Sequence, residues 1–156
     1  MTKKLSLPES YSIKAPEHFY SVMGSDVALL REKGSYETCT TVILCCIDAL
    51  AAGPGDANPK KFRAFVKIHF PTLCAELDGT VPGKSGAEVL YNKFRNGFAH
   101  LRGPKSGFAI ANDSELEGRY ATEVEIKGKG NCVAINVDRL INDFRQVVAA
   151  LGRGAE

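Results

Sequence analysis

Along most of the chain the hydrophobic residues recur at helical spacing, and only late in the sequence does the period change to two. Pro16 suits a first helical turn, because its missing N–H would have no partner there, and Phe19, Met23, Val27 and Leu30 follow on one face. Gly34 predicts the end of that helix, and Ser35 the cap of a second. The second helix runs to about Ala52 with Tyr36, Cys39, Ile43, Cys46, Ile47 and Leu50 inward. Its β-branched run Thr40–Ile43 would also suit a strand, but length and spacing decide for helix. Asn58 and Pro59 predict the opening of a third helix carrying Phe62, Phe65, Val66, His69 and Phe70. Pro71 stops or kinks it, since it removes a hydrogen bond and crowds the preceding turn, and a short helix continues to Leu77. Ser85-Gly-Ala-Glu88 has the form of a capping box. It opens a fourth long helix with Ala87, Leu90, Tyr91, Phe94, Phe98 and Leu101 on one stripe, ended by Gly103-Pro104.

Residues 102–119 are polar and rich in Gly, Ser, Asp and Glu, and read as an exposed loop. Thr122, Val124 and Ile126 then alternate with Glu123 and Glu125, the period of a half-buried strand. Lys127–Asn131 supplies turn residues, and Val133, Ile135 and Val137 alternate again, so residues 121–137 are predicted to form a β-hairpin. Asp138 is placed to cap a last helix with Leu140, Ile141, Phe144, Val147, Val148 and Leu151 inward. The expected fold class is mainly α: a four- to five-helix up-and-down bundle with a β-hairpin inserted before the last helix. The expected organisation is a single domain over residues 1–156, with residues 1–14 as an N-terminal tail or extended arm. An isolated hairpin is marginal in water, so its apolar side is expected against the bundle or a second subunit.

Composition changes this picture little. Hydrophobic content of 44% and charged content of 24% are those of an ordinary soluble globular chain, which excludes the disordered and fibrous classes. No run of about 18 apolar residues is present, and Met1–Ser10 has no apolar core of signal-peptide length. The expectation is a cytoplasmic protein without a membrane partner. Five cysteines, three of them in the second helix and none in a C-x-x-C pair, read as buried reduced thiols. A net charge of +2 is too small to argue for nucleic-acid binding, so any such reading has to come from particular residues. No metal-ligand spacing, no Ser-His-Asp order and no paired carboxylates stand out, and Gly128-Lys-Gly130 is a turn signal; no cofactor or metal is expected. His18 and His69 read as structural, and Lys60, Lys61, Arg63, Lys127 and Lys129 as solvated surface that is also suited to a phosphate backbone.

The fourth helix departs from this generic pattern. Within it, Arg95, Asn96 and His100 fall inside six residues. On an ideal helix at about 100° per residue, Glu88 and Arg95 share one flank with Tyr91 beside them, while Asn96 and His100 share the far side. Arg95 and His100 are then roughly 140° apart, too far for one small ligand on a single protomer. Three arrangements would resolve this: Arg95 reaches round, the helix unwinds near Gly97 or Ala99, or a second copy completes the site. The mid-helix Gly97 suits close approach of another backbone, which favours a two-fold interface along this helix.

The segment Tyr91-Asn-Lys-Phe-Arg-Asn-Gly-Phe-Ala-His100, with its R-x4-H element and a polar residue directly after the Arg, resembles the signature of the HEPN superfamily. These are small helical bundles that include ribonuclease toxins and RNA-cleaving defence proteins. The resemblance covers about 110 residues of helical architecture and leaves the hairpin outside it. It implies a homodimer whose facing motifs form a metal-independent RNA-cleavage site, in a toxin–antitoxin or defence setting with an antitoxin or regulatory protein as partner. It gives Arg95 and His100 as the invariant catalytic pair and Asn96 as the polar third residue; Tyr91, Glu88 and Arg102, near them in the sequence, are the substrate-binding or supporting candidates.

The chemistry is consistent on its own terms. Imidazole titrates near neutrality, so His100 suits proton transfer to and from a ribose 2′-OH attacking the adjacent phosphate. Arg95 has the forked donors to hold that phosphate, and Asn96 suits orienting the His or donating to the phosphate. The product is then a 2′,3′-cyclic phosphate. The plainer readings are an Arg95–Glu88 salt bridge on the helix flank, a His100 that only complements a helix C-terminus, and Tyr91 as a core-edge residue. Beside the ribonuclease stand a non-catalytic bundle that binds RNA or a protein, and a structural helical protein in which the pair is coincidental.

Overall fold

A computed structural model describes residues 16–153 apart from Pro54 and Arg102, with the side chains of residues 16–23, 152 and 153 also outside the description. The expected tail at 1–14 and the inward positions Phe19 and Met23 therefore lie outside the described residues. In chain order the elements are α1 (Pro16–Glu32), α2 (Tyr36–Ala52), α3 (Pro59–His69), α4 (Pro71–Leu77), α5 (Gly86–Val89), a π-helical turn (Leu90–Arg95), α6 (Asn96–Leu101), β1 (Phe108–Ala111), β2 (Ala121–Ile126), β3 (Gly130–Asn136) and α7 (Val137–Arg153). The fold is mainly α with one small three-stranded sheet. Among the described residues no helix is long and apolar enough to cross a membrane.

Several helix ends match their sequence signals. Gly34, at φ +70°, takes the left-handed turn after α1, and the Asn58 carboxamide accepts the Lys61 N–H at 2.9 Å ahead of Pro59. Pro71 begins α4 directly after α3, with Phe70 at the break. Ser85 and Glu88 make the full capping box, each side chain accepting the other's backbone N–H. Two caps differ from expectation. Ser35 makes no side-chain bond to α2. At α7 the Asn136 side chain accepts the Arg139 N–H, while Asp138 instead joins Arg31 and the Asp113 N–H, each at 3.0 Å.

Helix α2 is central, packed on α1, α3, α6 and α7. Neighbours on several sides explain why Thr40, Leu44 and Asp48 are buried beside the expected Cys39, Ile43 and Ile47. The Thr40 and Thr41 hydroxyls donate to the carbonyls four residues back, which lets polar β-branched residues sit inside a helix. All five cysteines are free thiols; Cys39, Cys74 and Cys132 are buried and Cys46 half-buried, but Cys45 is exposed, against expectation. Burial pushes the Cys39, Cys46 and Cys74 thiols up to about 11, so they stay protonated and poorly nucleophilic at neutral pH.

The β2–β3 hairpin forms as expected, but residues 102–119 are not simply an exposed loop. Phe108–Ala111 forms β1, which pairs parallel with β3 and gives the order β1-β3-β2, and Leu116 is buried. One sheet face sends Val133, Ile135, Phe108 and Ile110 into the helical core. The other gathers Ala109, Cys132 and Ala134 under Leu116 as a second small cluster. The Glu76 carboxylate accepts the backbone N–H groups of Tyr120 and Ala121, both at 2.8 Å, and fixes the start of β2 against α4.

Candidate functional site

The segment singled out in the sequence contains a change of helical period. From Leu90 to Arg95 the backbone is a π turn, closed by the Asn96 N–H donating to the Tyr91 carbonyl five residues back. A π turn places one extra residue in the helix, so the residues beyond it are rotated by roughly 100° relative to a continuous α-helix. Two expectations fail for that reason. Glu88 does not pair with Arg95; its carboxylate is engaged by Ser85 and, at 3.6 Å, by Lys84. The Ser85 N–H, then the Ser85 hydroxyl, hold that carboxyl below the usual range. Leu101, expected at the end of the inward stripe, is instead 66% exposed.

Arg95 turns towards α2. Its Nε donates to Asp48 Oδ2 at 2.5 Å, its Nη1 donates to Asn96 Oδ1 at 2.9 Å, and its guanidinium lies 5.4 Å from the centre of the Tyr91 ring. Tyr91 is itself held edge-on by Phe62, with ring centres 5.2 Å apart. Arg95, Asn96 and Tyr91 are thus brought together, and Asp48 is the member that sequence reasoning missed. Asp48 is the sole charged residue between Thr38 and Ala52, a signal that was present in the sequence. Its partner lies 47 positions away, so only the tertiary fold identifies it.

The Asp48 side chain keeps 11% of its exposure and that of Arg95 24%, so the pair is shielded on the Asp side and open on the Arg side. Among the described residues the Arg95 Nη2 group has no hydrogen-bond acceptor, which leaves donors free for an anion. Asp48→Ala is expected to lower stability by about 1–3 kcal/mol, since a hydrogen bond between charged groups is lost and Arg95 loses its anchor. Thermal melting checks this, and an unchanged Tm would contradict the role given to the pair.

His100 is apart from this cluster. It is exposed in the last turn of α6 and, among the described residues, makes no hydrogen bond or ion pair. Because α6 from Asn96 onward is regular, the separation of roughly 140° between Arg95 and His100 remains. Arg102 lies outside the described residues. Gly97 has a different role from the one expected. A Cβ there would stand 2.5 Å from the Gly103 carbonyl oxygen and 2.9 Å from the Lys105 nitrogen, so the backbone approaching it belongs to this chain. The Lys105 N–H also donates to the Lys93 carbonyl at 2.9 Å, tying the loop after α6 to the π turn.

Among the described residues no three His, Cys, Asp or Glu side chains gather in a group able to hold a metal ion. In comparisons with known proteins, no family model, no curated protein and no solved structure matches the chain.

Proposed function

We propose that this protein is a metal-independent endoribonuclease of the HEPN type, an up-and-down helical bundle that works as a homodimer in the cytoplasm. In this reading Arg95 holds the scissile phosphate while His100 handles the proton. The ribose 2′-oxygen bonds to phosphorus, the bond from phosphorus to the 5′-oxygen breaks, and a 2′,3′-cyclic phosphate and a free 5′-OH result. The His100 imidazole of one copy takes the proton from the 2′-OH and returns it to the departing 5′-oxygen, while Arg95 of the other copy holds the phosphate. Asn96 and Asp48 position Arg95. An antitoxin or regulatory protein encoded elsewhere is the partner that restrains the activity.

The observation that carries the reading is the anchored Arg95: Asp48 and Asn96 hold two of its nitrogens and the third points to no protein acceptor among the described residues. An arginine fixed in this way is pre-organised for an oxyanion, and π turns occur frequently at functional sites. The exposed Ala99, His100 and Leu101 give the dimer a contact surface, a support that replaces Gly97. The test is labelled single-stranded RNA incubated with purified protein in EDTA. Cleavage to 2′,3′-cyclic phosphate ends is expected. RNA that is bound but remains intact would instead favour a non-catalytic binding protein.

A further inference from the structure

The loop that closes on Gly97 borders a cleft of about 490 Å³, whose far side is the turn between β2 and β3. Its charged lining residues are Lys105 from the loop and Lys129 from the turn, and no acidic side chain lines it among the described residues. Phe108 and Cys132 also line it, and Lys93 of the π turn holds its ammonium 5.5 Å from the centre of the Phe108 ring. Glu123 shares a sheet face with Val133 and Phe108, but neither it nor Glu125 lines the cleft. Gly128 at φ +82° and Gly130 at φ +75° set the tight turn that carries Lys129 to the cleft.

A cleft lined by a lysine from each side and, among the described residues, by no acidic residue selects an anion spread along its length. A small ligand needing oriented donors would require fixed polar groups, whereas flexible lysines suit a backbone of repeated phosphates. The cleft's loop is tied to the candidate segment, because the Lys105 N–H is bonded to the Lys93 carbonyl inside the π turn that ends on Arg95. We propose that this cleft is a phosphodiester-binding subsite, in which Lys105 and Lys129 hold the RNA strand flanking the bond presented to Arg95. The inference rests on the ribonuclease reading and gives the hairpin a role in substrate binding.

The experiment is fluorescence anisotropy of a labelled 12-nucleotide single-stranded RNA, titrated with the full chain carrying His100→Ala, across a salt series in EDTA. Adding Lys105→Ala and Lys129→Ala is expected to weaken binding on the order of ten-fold at low salt, and to flatten the plot of log affinity against log salt by about 1.4, at about 0.7 per phosphate contact. The control pair Lys33→Ala and Lys67→Ala removes the same charge from exposed positions that do not line the cleft and is expected to leave the slope unchanged. Equal losses from both pairs, or none from the cleft pair, would overturn the subsite. Millimolar inorganic phosphate is expected not to displace the RNA; displacement would mean a free-phosphate site and would overturn the polymer assignment. Cleavage by the unsubstituted chain is scored separately. A chain that cuts RNA but ignores the cleft pair refutes only the subsite, and one that binds through the cleft without cutting refutes only the ribonuclease.

Discussion

The His100→Ala protein is expected to cleave RNA about 10²- to 10⁴-fold more slowly than the unsubstituted chain, the usual contribution of a positioned proton-transfer group. Its Tm is expected to be unchanged. The side chain is exposed and makes no hydrogen bond among the described residues, so its removal leaves no cavity and no orphaned partner. The separation of activity from stability is what makes this substitution informative. Arg95→Ala also abolishes phosphate binding in this account, but it leaves the Asp48 carboxylate unpaired, so part of its effect is structural. Initial rates on labelled RNA in EDTA, beside thermal melts of both proteins, give the result. Equal rates for the His100→Ala protein and the unsubstituted chain would remove His100 from the mechanism.

Gly86→Ala is expected to be strongly destabilising. Gly86 is buried at the first position of α5, its N–H donating to the Asp78 carboxylate. A Cβ there would overlap the Cys74 carbonyl oxygen and lie 2.6 and 2.9 Å from the Cys74 carbonyl carbon and Cα. All three atoms are backbone atoms within α4, so the clash cannot be relieved by a rotamer change. The start of α5 has to move away from α4, against the capping box and the Asp78 bond that fix it. The expected cost is about 3 kcal/mol, the upper part of the usual range for overpacked sites. At about 2–4 °C per kcal/mol for a chain of this size, Tm falls by about 6–12 °C. Gly103→Ala, where a Cβ meets open space, is the matched control. A Tm for Gly86→Ala equal to that of the control would show that α4 and α5 are less firmly joined than described.

The helical part of the fold was legible where a residue's chemistry acts locally. Pro16, the Asn58-Pro59 pair, Pro71 and the Ser85–Glu88 box each mark an element boundary by blocking or satisfying a particular N–H, and each does so here. The hairpin was legible because its period of two persists over two strands. β1 was not: four residues among glycines and serines carry too little pattern, and their partner in β3 lies 25 residues further on. The π turn was not legible either, because it changes backbone phase without any residue that requires it. That phase change undid the Glu88–Arg95 pairing and moved Leu101 off the stripe. Asp48 was visible as an isolated charge in an apolar helix, but its partner was not. Gly97 was correctly marked for close approach of a backbone, and only the structure identifies that backbone as Gly103–Lys105 of the same chain.

The central claim is that Arg95 of one copy and His100 of another act on one phosphate. With Arg95 held towards α2 by Asp48 and His100 exposed at the end of α6, the two groups leave the helix in different directions. The most direct measurement mixes the two inactive proteins, Arg95→Ala and His100→Ala, under conditions that let subunits exchange, and monitors RNA cleavage in EDTA. The mixture is expected to regain activity that neither protein has alone, because each heterodimer holds one intact Arg95 opposite one intact His100. A mixture that has exchanged subunits, as shown by a co-purifying affinity tag, and still fails to cut RNA would contradict the shared site.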